Sequence, residues 1–290
     1  MLELRERPSA ALVAEVVEDC EIRYFAEFDL WAAVARGRDP RRVGAAFDFA
    51  LGLGIGSSDA IAEARALGEC LERYGASIAG VGAPATAPVW NEEGMYSGEA
   101  PSAAVFLPWI GPAGPALPCG SEGLAFAPRF AVAARRAALE MIERQALRRA
   151  IEGRGGFLSR GEAQLGPLTA SLLLIPAEVP VILALIEQSG RLAACGAAAA
   201  ATESEAVEKA LQEAALAWLC ADGAILPGVF EGRETLLARH DVHRAGDLAL
   251  RSGASTAPRT AVVFADAAPA GWAAEGGCIV RALPAAVVIS

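Results

Sequence analysis

One short string occurs twice in the 290-residue chain, as Glu69-Cys70-Leu71-Glu72-Arg73 and as Glu140-Met141-Ile142-Glu143-Arg144. Glutamates three residues apart lie on one face of a helix, so each string offers two carboxylates on that face. Two such helices facing one another would supply four. Hard oxygen donors of this kind suit Mg2+, which takes one or two carboxylates together with waters and phosphate oxygens. The arginines that close the strings, Arg73 and Arg144, can either pair with the glutamates or reach phosphate. On an alanine-rich helix such a string is ordinarily a solvated face of ion pairs. Here the glutamates are flanked by Leu67, Leu71 and Tyr74 in the first copy and by Leu139, Ile142 and Leu147 in the second. Partly buried carboxylates are costly unless a cation compensates them, so repetition and apolar flanks together favour a metal and phosphate site.

The elements that must position these residues can be read from periodicity. Gly52, Gly54 and Gly56 mark a turn, and Ser57, Ser58 and Asp59 offer caps for a helix over about 60–79. A second glycine-containing turn, Ser121-Glu122-Gly123-Leu124-Ala125, leads through Pro128 into a helix over about 131–152, and a third helix spans about 203–220. That third helix carries only a weak echo of the string, Leu211-Gln212-Glu213-Ala214. A short helix is expected over 10–17, with strand-like segments over 22–28, 45–51, 172–175, 180–186, 260–265 and 278–281 and a small-residue strand or turn over 192–201. The uncharged stretch 100–121 carries Pro101, Pro108, Pro112, Pro115 and Pro118, which break any membrane-spanning helix, and reads as a long loop. Repeated elements that share one site belong to one fold, so a single domain over 1–290 is expected.

Composition narrows the function classes. A formal net charge of −10 disfavours a nucleic-acid binder, which needs clustered Lys and Arg against phosphates. It leaves open a polyphosphate held through divalent cations. The six cysteines, Cys20, Cys70, Cys119, Cys195, Cys220 and Cys278, form no CxxC pair, which fits a reducing cytoplasm, and Cys70 reads as packing. The N-terminus is charged where a secretory signal needs an apolar run. A di-iron carboxylate bundle would require ExxH strings, whereas the chain's histidines, His240 and His243, lie far downstream. A GxSxG elbow, a Walker-type loop and a complete GxGxxG fingerprint are absent from the sequence.

The motifs, taken in order, resemble those of the YcaO family. Gly54-Ile55-Gly56 with Ala66-Leu67-Gly68-Glu69-Cys70-Leu71-Glu72-Arg73-Tyr74-Gly75-Ala76 resembles the family's GKG…SALGEALERYSA. Ser121-Glu122-Gly123-Leu124-Ala125 with Ala138-Leu139-Glu140-Met141-Ile142-Glu143-Arg144 resembles SNGLA…ALxEVIERD, and the third helix from Glu205 to Ala215 resembles PExALxRALTEAAQ.

The resemblance implies an α+β fold: one YcaO-like domain of mixed and antiparallel sheets packed with helices, with helix-bearing units repeated around a central nucleotide site. It implies an enzyme that uses ATP and Mg2+ to phosphorylate a backbone amide oxygen in a ribosomally made precursor peptide, giving an azoline by cyclodehydration or a thioamide. It places Glu69, Glu72, Glu140 and Glu143 as Mg2+ ligands. Arg144 becomes a phosphate contact, and Arg65, Arg73, Lys209 and Glu213 belong to the nucleotide site. A separate peptide-recognition or activating protein, a homodimer and a cytoplasmic setting are expected with it, and neither a membrane nor nucleic acid as a partner. Several positions depart from the family's pattern: Ile55 stands for lysine, Arg65 for serine, Glu122 for asparagine, Gln145 for aspartate and Leu216 for glutamine. Arg65 can supply the cation that Ile55 removes. The family's usual proline-rich ending is replaced by Leu283-Pro284-Ala285-Ala286-Val287-Val288-Ile289-Ser290, which weakens the cyclodehydratase reading relative to thioamidation or another amidine-type reaction. The departures also define an alternative, a YcaO-like scaffold subunit that organises a peptide-modifying complex without ATP chemistry of its own.

Overall fold

The computed structural model describes residues 7–45, 50–106, 110–111, 114–115, 122–151, 156–189, 191–225 and 261–289. Cys119, Ser121, His240, His243 and Thr260, together with 46–49 of the expected strand over 45–51 and half of the proline-rich stretch 100–121, lie outside these residues. The elements in chain order begin with α1 (Ala10–Val16), β1 (Val17–Phe25), β2 (Leu30–Gly37), β3 (Leu51–Gly56), α2 (Asp59–Ala79), β4 (Thr86–Trp90) and β5 (Tyr96–Pro101). They continue with α3 (Ser102–Val105), β6 (Ile110–Gly111), β7 (Gly114–Pro115), β8 (Leu124–Ala127), α4 (Phe130–Ile151), β9 (Leu158–Leu165) and β10 (Leu168–Ile175). The chain closes with β11 (Val181–Gln188), β12 (Arg191–Ala199), α5 (Glu203–Ala221), β13 (Val262–Asp266) and β14 (Cys278–Pro284). This is the expected α+β architecture, with antiparallel sheets packed against helices. Among the described residues no helix is long and apolar enough to cross a membrane.

The chain divides into two compact units, one of Met1–Tyr24, Trp31–Met141 and Thr260–Ser290, the other of Phe25–Leu30 and Ile142–Arg259. The first unit holds a three-stranded sheet of order β1-β2-β3 and a five-stranded sheet of order β5-β4-β13-β14-β8. The five-stranded sheet is covered on both faces, and its strands show it by period-two alternation. Leu124, Phe126, Val263, Ala265, Ile279 and Leu283 point into the core that includes Leu67, Leu71 and Tyr74 of α2. The intervening Ala125, Ala127, Val262, Phe264, Val280 and Ala282 pack with Ala133, Ala137 and Met141 of α4. The second unit holds a four-stranded antiparallel sheet of order β12-β11-β10-β9, packed against α5. The Phe28 ring meets Trp218 of α5 with centroids 5.5 Å apart.

The glycines at 52, 54 and 56, expected as a turn, instead form strand β3. The reason is proximity to α2. A Cβ on Gly52 would lie 1.9 Å from the Ala66 carbonyl oxygen, and one on Gly54 would lie 2.0 Å from that of Ala62. Bare backbone lets strand and helix touch. The second unit repeats the device on β12, where a Cβ on Gly196 would lie 2.2 Å from the Ala214 amide nitrogen and 2.4 Å from the Ala210 carbonyl oxygen. Ser58 caps α2 by accepting the Ile61 amide at 3.3 Å, and Thr202 caps α5 by accepting that of Glu205 at 3.3 Å. The expected loop over 100–121 is also corrected in part. Ala100 and Pro101 end β5, and Ser102–Val105 form a helical turn whose Val105 is buried.

Candidate functional site

Each of the three motif helices follows directly on the terminal strand of a sheet: α2 on β3, α4 on β8 and α5 on β12. A terminal strand presents backbone groups without a ladder partner, and the motif side chains lie where they can take them. At β3 the Leu53 amide donates to Glu69, whose other carboxylate oxygen takes Arg73 in an i,i+4 ion pair. Arg65, one turn before Glu69, donates from Nη1 to the Ile55 carbonyl at 2.6 Å. Arg65, expected as a nucleotide contact that could replace the cation lost at position 55, here holds the backbone of that position, while the Ile55 side chain is buried.

At β8 the Phe126 amide donates to Oε2 of Glu72 at 3.1 Å, and the Phe126 carbonyl accepts Nη1 of Arg136 at 3.3 Å. Glu72 as a residue keeps some surface, but its carboxylate is densely surrounded by protein. Burial first, then the like charges of Glu140 and Glu69, push its pKa well above the ordinary carboxylate range, against the opposing pull of Arg73 and the Phe126 amide. The first unit thus gathers carboxylates from both strings, Glu69 and Glu72 from α2 and Glu140 from α4. Glu69 and Glu72, expected to act as a matched pair, are anchored on different strands. The helix lies between two sheets, and each glutamate takes the strand on its own side.

In the second unit Glu143 occupies the equivalent position on a third strand end, accepting the Ala199 amide of β12. Its side chain is 12% exposed. Burial raises its pKa to about 7, with Glu213 adding to the rise and Arg144 and the Ala199 amide opposing it. Arg144 is largely exposed, with Nε 3.7 Å from Glu143 Oε1. Lys209 makes an exposed i,i+4 pair with Glu205 at 2.8 Å. Leu216 is buried in α5, and Gln212, one turn earlier, is a buried polar residue that the sequence did not single out. Glu122 is exposed in the turn before β8, and Gln145 lies half-buried on α4.

Among the described residues, no three His, Cys, Asp or Glu side chains sit close enough to hold a metal ion by themselves. Mg2+ bound together with a nucleotide does not require three, because phosphate and water complete its shell. Hard oxygens, a surrounded carboxylate and neighbouring negative charge fit such an ion. Cys70 behaves as packing: its thiol is buried and pushed up to about 12 by desolvation first, then by Glu69. No disulfide forms among the five described cysteines. Arg136, which donates to the Phe126 carbonyl beside Glu72, is a residue that sequence reading did not single out. Its one signal is its spacing, one turn before Glu140.

No family model matches the sequence, and no curated protein matches it. Solved structures do match by shape. YcaO from Methanopyrus kandleri, bound with AMPPCP and Mg2+, aligns with a TM-score of 0.64 at 19% identity, covering 95% of this chain and 87% of that one. A heterocyclase in complex with substrate and cofactor aligns at 0.66 and 13% identity, covering 98% of this chain but only 54% of that longer one. A subunit of the E. coli microcin synthetase McbBCD complex, with pro-MccB17 bound, aligns at 0.59 and 11% identity, covering 92% of this chain and 87% of that one. Across nearly its whole length, the chain has the YcaO-family fold.

Proposed function

We propose that the chain is an ATP- and Mg2+-dependent enzyme that activates a backbone amide in a ribosomally synthesised precursor peptide, by cyclodehydration to an azoline or by thioamidation. The observation that carries this reading is Glu72: a surrounded carboxylate with Glu140 and Glu69 adding like charge. Such an arrangement is stabilised by a cation. Glu69, Glu72, Glu140 and Glu143 are the residues that would hold Mg2+, which when bound would offset the charge on the phosphates of ATP. Arg144, largely exposed, is suited to a phosphate oxygen, with Arg65, Arg73, Lys209 and Glu213 as further nucleotide contacts. To take that role Arg73 would release Glu69, and Lys209 would release Glu205.

In the reaction, the amide oxygen of the peptide would attack the γ-phosphate and ADP would leave. A Cys, Ser or Thr side chain, or external sulfide, would then attack the amide carbon, and phosphate would depart with the former amide oxygen. A partner protein that presents the peptide, a homodimer and a cytoplasmic setting go with this reading. The solved complexes with substrate, and with partner chains and pro-MccB17, support the peptide and the partner. The test is Mg2+-dependent ATP turnover by the full chain with its precursor and partner, together with Glu72→Gln. Turnover that this substitution leaves undiminished sinks the proposal.

A second reading, a scaffold subunit without its own ATP chemistry, is favoured by Glu69, whose carboxylate is already taken by the Leu53 amide and Arg73, and by the buried apolar Ile55 and Leu216. ATP turnover that falls sharply in Glu72→Gln rules the scaffold out.

A further inference from the structure

We infer that Arg136 is a positioning residue for Glu72, acting through the backbone of Phe126; the inference rests on the reading of Glu72 as a cation ligand. Among the described residues β8 ends its sheet, so the Phe126 N–H and C=O that face away from β14 have no ladder partner. Backbone groups left unpaired away from water are costly, and here two helices supply partners from opposite faces of the sheet. Glu72 of α2 accepts the N–H at 3.1 Å, while Arg136 of α4 donates to the C=O at 3.3 Å. Both bonds end on one residue, so the grip of Arg136 on the carbonyl fixes the strand at the place where Glu72 finds its donor.

Two further facts make this more than an edge plug. Arg136 precedes Glu140 by one turn on the same face of α4, so its cation stands on the face that carries the carboxylate acting on Glu72. A guanidinium has several donors in a fixed plane, which lets it hold a carbonyl while keeping another N–H for a neighbouring carboxylate. Outer partners of this kind orient the groups that touch a metal, and losing one costs about 10–100-fold in metal affinity.

The test uses the full chain with Arg136→Gln and Arg136→Lys. Two readouts are taken: hydrogen exchange across 124–127, and ATP binding measured by calorimetry while Mg2+ is varied. For Arg136→Gln the expected result is faster exchange in that strand and a Mg2+ requirement raised about tenfold, with ATP affinity at saturating Mg2+ changed by no more than about twofold. Arg136→Lys, which keeps charge and one donor, should restore both. Unchanged exchange, an unchanged Mg2+ requirement, or failure of lysine to rescue overturns the role. If the unsubstituted chain binds no ATP with Mg2+, the metal reading of Glu72 falls, and exchange alone then decides whether Arg136 holds Phe126.

Discussion

Glu72 in the first unit and Glu143 in the second are held alike and charged differently. Each projects from a motif helix and accepts an amide from the terminal strand of a sheet, Phe126 for one and Ala199 for the other. Around Glu72 the neighbours that matter most are the carboxylates Glu140 and Glu69; around Glu143 the strongest neighbouring charge is the guanidinium of Arg144. The same backbone device therefore serves one locus with excess negative charge and one that is partly offset. Under the proposed function, a divalent cation would have most to gain at Glu72, and Arg144 beside Glu143 would be the phosphate contact.

The largest expected effect would test whether the scaffold is repeated at all. Gly52→Ala places a methyl 1.9 Å from a backbone oxygen, and Gly196→Ala places one 2.2 Å from a backbone nitrogen. Each should cost about 3 kcal/mol, the upper end for overpacking, read as a lower melting temperature. If either is tolerated, the two strand–helix contacts are not equivalent. Next, Glu72→Gln should lower Mg2+-dependent ATP turnover by about 100-fold, because a ligand should cost at least as much as its outer partners, and Glu143→Gln by about tenfold, because Arg144 already offsets part of the charge there. Equal losses would erase the contrast between the loci.

A smaller effect concerns pH. The Glu143 carboxyl titrates near 7 in the folded chain and near 4.5 when unfolded, so the folded state binds the extra proton between those values. Its contribution is therefore most favourable below about pH 4.5 and is lost as pH rises through 7, with roughly 2–3 kcal/mol of the change falling between pH 5 and 8. Denaturant titrations of the nucleotide-free chain from pH 5 to 8 should show this slope, and Glu143→Gln should flatten it. The Glu72 contribution runs in the same direction. The smallest effect is a control inside the first string's helix. A Cβ on Gly68 would meet Phe126 at an ordinary 3.7 Å, so Gly68→Ala should stabilise the chain by up to about 1 kcal/mol through helix propensity.

Much of this was legible in the sequence where local rules govern. Helices α2, α4 and α5 fall within a residue or two of the expected spans, because apolar periodicity and the caps Ser58 and Thr202 are local signals. The α+β class was likewise readable, from the succession of helical and strand-like segments and from the family resemblance. Gly52, Gly54 and Gly56 misled because a run of glycines signals a turn, and only the helix lying against the strand explains their place in β3. The hairpin β4–β5 was hidden by Pro88 and Gly98, which lower strand propensity on an outer strand pair. The separate anchoring of Glu69 and Glu72 was unreadable for a related reason. Helical spacing says which side chains share a face, but not that two strands compete for them.

The most direct measurement is calorimetric titration of the full chain with ATP, with and without Mg2+, repeated on Glu72→Gln. Saturable binding that needs Mg2+ and is lost in the variant is the predicted result. Binding that ignores both the ion and the substitution would contradict the account.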